Sequence, residues 1–155
     1  MSRLPDPAQF FPEMGDLAGA LTRITMNGSI PRSTIHLVQL RIGQLVGSTY
    51  HTIRQAELLR KTGASEEQVT SVASWPTSPY FSEEERVALE LAEAVFTASS
   101  VTERVPDELF ARASACYDDK ALWTLTLVLS QMSYFVPVAL IAKPIPGLPL
   151  GKNYR

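Results

Sequence analysis

The 155-residue chain is about one domain long, with 45% hydrophobic and 19% charged residues, enough to bury a single core without a second domain. Its formal net charge is −2 with acidic and basic residues interspersed, which excludes the basic footprint of a nucleic-acid or anionic-membrane binder. A single cysteine, Cys116, excludes an intrachain disulfide and a dithiol pair within one chain, and Met1 to Gln9 lacks the continuous apolar stretch of a secretory signal, so a cytoplasmic location is expected.

Strand signals are scarce and helical punctuation is plentiful. Residues 13–26 carry Met14, Leu17, Leu21 and Ile24 at helical spacing, closed by Asn27-Gly28. A second helix follows Pro31, with Ile35, Val38, Ile42 and Leu45 on one stripe. The third is expected from about Ser48 to Lys61, with a basic last turn and Gly63 behind it. Ser65 to Gln68 forms a capping box for a short fourth helix. Trp75 to Pro79, with two prolines, is expected to break helical structure.

Ser82 to Glu85 is a second capping box, opening a helix with Val87, Ala88, Leu91, Ala92 and Val95 inside. Pro106-Asp107-Glu108 opens a sixth helix, and Asp118 or Asp119 caps a seventh. Cys116, near the end of the sixth, reads as a small hydrophobe. From Ala121 to Ala142 no charge occurs in 22 residues, long enough to span a bilayer. Thr124, Thr126, Ser130, Gln131, Ser133 and Pro137 interrupt the run, so the expectation is no membrane span but a helix buried by the core on one side and a partner subunit on the other. Residues 144–155 should form an irregular arm packing on a neighbour. The fold class predicted is all-α, a single domain over 1–155 with a core at 13–137 and about seven helices around a central helix hairpin.

Within the third helix, Ser48, His51 and Gln55 recur at i, i+3 and i+7, on one helix face. Beyond it, Trp75, Ser78, Phe81, Glu85, Arg86, Ala88 and Leu89 reproduce the pattern W-x-x-S-x-x-F-x-x-x-E-R-x-A-L. With Leu40-Arg41, Gln44, Gly47, Tyr50, Gly63 and Pro106-Asp107-Glu108, these residues resemble the alkylhydroperoxidase D-like and carboxymuconolactone decarboxylase superfamily, in its small peroxidase-related branch, over about residues 13–135.

The resemblance implies an alkylhydroperoxidase D-like helical bundle, assembled as a trimer or hexamer. It also implies a redox segment C-x-x-C-x-x-x-H after Gly47 and a relay Glu twelve residues before the first cysteine. Here those positions hold Ser48, His51, Gln55 and His36, and the late N-x-x-N-R pattern reads Ser133-Tyr134-Phe135-Val136-Pro137. Thiol peroxidase chemistry needs a thiolate to attack peroxide and a second thiol to resolve the sulfenic acid. A serine hydroxyl and an imidazole cannot replace them.

Two readings remain open. One is a non-catalytic oligomer with a vestigial or ligand-binding pocket, in which Ser48 is an ordinary helix cap and Gln55 a good helix former. The other is a small-molecule enzyme, decarboxylase- or isomerase-like, in which His51 moves a proton, Ser48 holds the substrate, and His36 and Gln55 orient it. A Ser48–His51 hydrolytic dyad lacks a third group and an oxyanion motif. Tyr50, Trp75, Tyr134 and Phe135 are candidate substrate contacts, and equally plain core or interface aromatics. No cofactor is expected, and no metal, since Glu57, the nearest carboxylate after His51, falls on another helix face.

Overall fold

Side-chain oxygens mark where the helices begin, as the sequence leads one to expect. In the computed structural model, which describes residues 2–97, 103–149 and 151–154, Ser65 and Ser82 each complete a capping box with Gln68 and Glu85, and Asp118 caps the last helix through the Ala121 N–H at 2.8 Å. Each cap satisfies a backbone donor that a helix start leaves orphaned, worth about 1 kcal/mol. Seven α-helices follow: α1 Glu13–Thr25, α2 Arg32–Leu45, α3 Thr49–Lys61, α4 Glu66–Ser71, α5 Glu83–Phe96, α6 Asp107–Cys116 and α7 Asp119–Ala142. Among the described residues there is no strand.

α2 is the central element because it is apolar on two sides. Ile35, Val38 and Ile42 enter the main core with Val87, Ala88 and Leu91 of α5 and Leu125, Val128 and Met132 of α7. Leu37 and Leu40 enter a second cluster with Leu59, Val72, Trp75, Phe81 and Leu89. Burying each such side chain contributes roughly 1.5–3 kcal/mol. α2 is thus held from both sides, and α3 lies antiparallel along it.

One element departs from expectation. Val72–Thr77 does not break but tightens into a 3-10 segment containing Pro76, kinked at Ser74 (φ −119°, ψ 29°). The i→i+3 pattern tolerates the proline because no long i→i−4 ladder is interrupted. Arg86 braces this segment, donating to the carbonyls of Trp75, Pro76, Ser78 and Phe81, while the Trp75 indole donates to Glu93 at 2.8 Å. The W-x-x-S-x-x-F-x-x-x-E-R motif is therefore a device for fixing the α4–α5 connection.

α7 is long and apolar enough to reach across a bilayer by length and composition. Its inward face belongs to the main core, but its outward face is uncovered in the single chain, with Trp123 67% and Ile141 63% exposed. The irregular tail folds back on its own chain: the Ile145 N–H donates to the Asn153 carbonyl at 2.6 Å, and buried Asn153 donates to the Tyr50 hydroxyl at 3.2 Å. Leu150 and Arg155 of that arm lie outside the described residues.

Candidate functional site

The hairpin of α2 and α3 is drawn tight by two glycines. Gly47 takes a left-handed conformation (φ +67°) that lets the chain reverse, after which the Ser48 N–H donates to the Gly43 carbonyl at 2.8 Å. Gly43 lets the helices touch: a Cβ there would lie 3.0 Å from the His51 Cβ and 3.0 Å from the Thr52 nitrogen. Any other residue at 43 would push α3, and with it the polar face, away from α2.

That face carries two hydrogen-bonded pairs. Ser48 Oγ and His51 Nδ1 are 2.9 Å apart, and Ser48, as N-cap of α3, also accepts from the His51 N–H at 3.5 Å. One turn further along α3, Gln55 Oε1 accepts from His36 Nδ1 of α2 at 2.9 Å. All four side chains are buried. The structure therefore brings Ser48, His51, Gln55 and His36 together on the α2–α3 interface, as two separate couples rather than one chain of proton donors.

Burial governs their electrostatics. Desolvation, with Arg54 adding like-charge repulsion, lowers the His51 pKa to about 4, so its ring is neutral at pH 7. His36 is lowered as well, first by burial and then by Arg54 and Arg32, against the support of its Gln55 hydrogen bond. With Nδ1–H given to Gln55, a neutral His36 keeps an acceptor lone pair on Nε2. Gln39 of the same helix gives the ring a second side-chain hydrogen bond, and among the described residues no fully buried polar side-chain atom is left unsatisfied.

His36 also borders a cleft of about 480 Å³ lined by Arg32, Ser33, His36, Leu58, Lys61 and Thr62. It lies where the start of α2 meets the end of α3. His51, Ser48 and Gln55 do not line it. Arg32 and Lys61 escaped the sequence reading, because as exposed charges on separate helices they carry no local signal. Their rough equidistance from Gly47 in an antiparallel hairpin is the feature that pairs them.

The aromatic candidates divide. Tyr50 is at the site, its ring edge-on to His51 with centroids 5.5 Å apart and an 80° interplanar angle. Trp75 sits in the second core cluster, bonded to Glu93. Tyr134 and Phe135 pack edge-to-face on α7 at 4.9 Å, and the exposed Tyr134 hydroxyl meets Met14 of α1 at 3.5 Å. Among the described residues, no three of the His, Cys, Asp and Glu side chains converge to hold a metal.

Residues 8–94 match the model of the carboxymuconolactone decarboxylase family. Among curated proteins, the chain is 29% identical over 133 residues to the uncharacterized protein YdfG of Bacillus subtilis, covering 86% of this chain and 89% of that one. It is 39% identical over 94 residues to the uncharacterized protein YnjA of Escherichia coli, covering 60% of this chain and 50% of that one. A crystal structure of a protein of unknown function from Agrobacterium tumefaciens, proposed there as an antioxidant defence protein AhpD, superposes with a TM-score of 0.84 at 21% identity, over 96% of this chain and all of that one. The debrominase Bmp8, solved with 2,3,4-tribromopyrrole, superposes at 0.71 and 19% identity, over 88% of this chain and 74% of that one. At these identities the two structures establish the all-α, AhpD-like fold.

Proposed function

The chain belongs to the carboxymuconolactone decarboxylase family, and from that premise we propose that it is a divergent, AhpD-like member that has left thiol peroxide chemistry and serves as an oligomeric ligand-binding protein. The observation that carries the reading is the Ser48–His51 couple. It occupies the two positions where the family resemblance calls for a cysteine pair, and its atoms are committed to each other at 2.9 Å in a buried setting. Neither atom is a substitute for a thiolate with a resolving partner. Cys116 does not compensate. It lies at the end of α6, and burial together with the carboxylates of Glu84 and Glu83 pushes its thiol above the ordinary value, disfavouring the reactive thiolate.

The test is catalytic. Consumption of cumene hydroperoxide by the wild-type protein, supplied with a dithiol reductant, should not exceed buffer background, and Cys116→Ala should behave identically. Turnover in either protein would overturn the reading.

Oligomer formation is supported by α7. Trp123, Leu127, Ser130, Tyr134, Pro137 and Ile141 follow one another at intervals of three or four, forming an uncharged outward stripe. Beside it runs an apolar groove of about 240 Å³, lined by Leu91, Val95, Phe110, Leu122 and Leu129 among others. An uncharged, aromatic-bearing stripe of this kind marks an association surface, and a second copy of the same chain is the occupant we infer.

A second reading, acid–base catalysis, has one observation in its favour. His36 lines the cleft, so the ring placed to move a proton is His36, whereas His51 does not line it, is tied to Ser48 and has its pKa lowered to about 4, far from a neutral working pH. If a substrate screen yields activity, His36→Gln should abolish it. Activity unchanged in that variant rejects the role.

A further inference from the structure

We propose that residues 144–149 and 151–154 form a hinged strap that pins the Tyr50 ring against His51, and that its release opens the Ser48–His51 couple to water and small solutes. The inference stands whether or not the couple serves a ligand.

His51 is only 4% exposed, and the groups around it differ in how firmly they are held. On one side lies the α2 backbone at Gly43, so close that an added methyl group would meet both His51 and Thr52 at 3.0 Å. A second neighbour is Ser48, fixed as the N-cap of α3. Neither can withdraw without undoing the hairpin. The third is the Tyr50 ring, edge-on to the imidazole with centroids 5.5 Å apart. Tyr50 is half-buried, and its hydroxyl accepts from Asn153 Nδ2 at 3.2 Å. The placing of that ring therefore depends on the tail.

The tail is arranged to come away as one piece. It leaves α7 at Lys143, which takes a left-handed conformation (φ 49°, ψ 61°), disfavoured for a residue with a side chain. Pro144 and Pro146 stiffen the path beyond that turn. Two bonds then close the tail on itself: the Ile145 N–H donates to the Asn153 carbonyl at 2.6 Å, and the Gly151 N–H to Asn153 Oδ1 at 3.2 Å. Gly147, Leu148, Pro149, Gly151 and Lys152 are exposed, and beyond Pro144 only Asn153 is buried among the described residues of the tail. A segment with so little buried surface opens at a free energy well below that of global unfolding.

Its hold on α3 is correspondingly slight. A Cβ at Gly147 would lie 3.8 Å from the Glu57 carboxylate, and Tyr154 is near Tyr50 and Asp6, its phenol raised by burial first and then by those two groups. The Asn153–Tyr50 bond is the side-chain hydrogen bond that ties the strap to the hairpin.

Diethyl pyrocarbonate, a small electrophile that acylates an accessible neutral imidazole, reads the opening, because labelled His51 and His36 are separated by peptide mass spectrometry. Tyr50→Phe keeps the ring and removes the acceptor, whereas Asn153→Ala removes the donor. In the full-length protein each should raise both amide exchange at Ile145 and labelling of His51 about fivefold, the effect of one lost hydrogen bond on an opening equilibrium. His36, one turn further along the hairpin, should be labelled at the wild-type rate. Faster exchange at Ile145 with unchanged labelling of His51 means that the tail does not govern access, and overturns the proposal. A parallel rise at both histidines, the mark of general loosening, overturns it too, as does no change in either measurement. Should one variant fail to fold, the other decides, since the bond can be removed from either end.

Discussion

At the scale of single residues, the site is governed by what burial does to two imidazoles. His51 takes up a proton near pH 6.5 when unfolded but only near pH 4 when folded. Between those values the unfolded chain binds the extra proton, so stability falls as pH drops from about 6.5 to about 4 and is flat with respect to this group above that window. The loss amounts to roughly 3 kcal/mol at 1.4 kcal/mol per pH unit, with His36 contributing in the same direction. Urea unfolding of the wild type at pH 7 and pH 4.5 should show that loss, and His51→Asn, which retains a polar partner for Ser48, should show a clearly smaller one. An equal slope in both proteins would mean that other groups set the acid sensitivity.

At the scale of elements, the hairpin depends on the α2–α3 approach at Gly43. A methyl group at 43 meets backbone as well as side chain at 3.0 Å, and backbone cannot step aside as a flexible side chain can. Gly43→Ala should therefore cost about 1–3 kcal/mol in denaturant unfolding and move the amide resonances of Ser48 to Gln55, whereas Gly15→Ala, where nothing lies within 4 Å, should not destabilise. The elements themselves were legible wherever signals are local. Capping boxes at Ser65 and Ser82, the Asp118 cap and the i, i+3, i+7 face of α3 needed no knowledge of distant residues. What could not be read was set by partners far along the chain. Pro76 enters a 3-10 segment because Arg86 and Glu93 hold it from α5, and a local rule about proline does not include them. The pairing of His36 with Gln55, 19 residues apart, came from the family pattern, and the cleft beside His36 from neither source.

At the scale of the whole molecule, the unanswered face is that of α7. Light scattering of the wild type should give a mass that is a multiple of 17.1 kDa, and Trp123→Glu combined with Tyr134→Lys should return it to the monomer with helical content retained. A wild-type monomer at micromolar concentration would reject the proposed interface. The all-round burial expected of α7 from its lack of charge was half legible. Composition reveals that a helix avoids water, but not whether its own chain or another covers it. A last consequence follows from Asn153. Its amide holds the Tyr50 hydroxyl, and the Tyr50 ring abuts the His51 imidazole edge-on, so a segment remote in sequence is two contacts from the histidine. Replacing Asn153 by Ala would therefore be felt in the chemical shift of the His51 ring, although the two residues never touch.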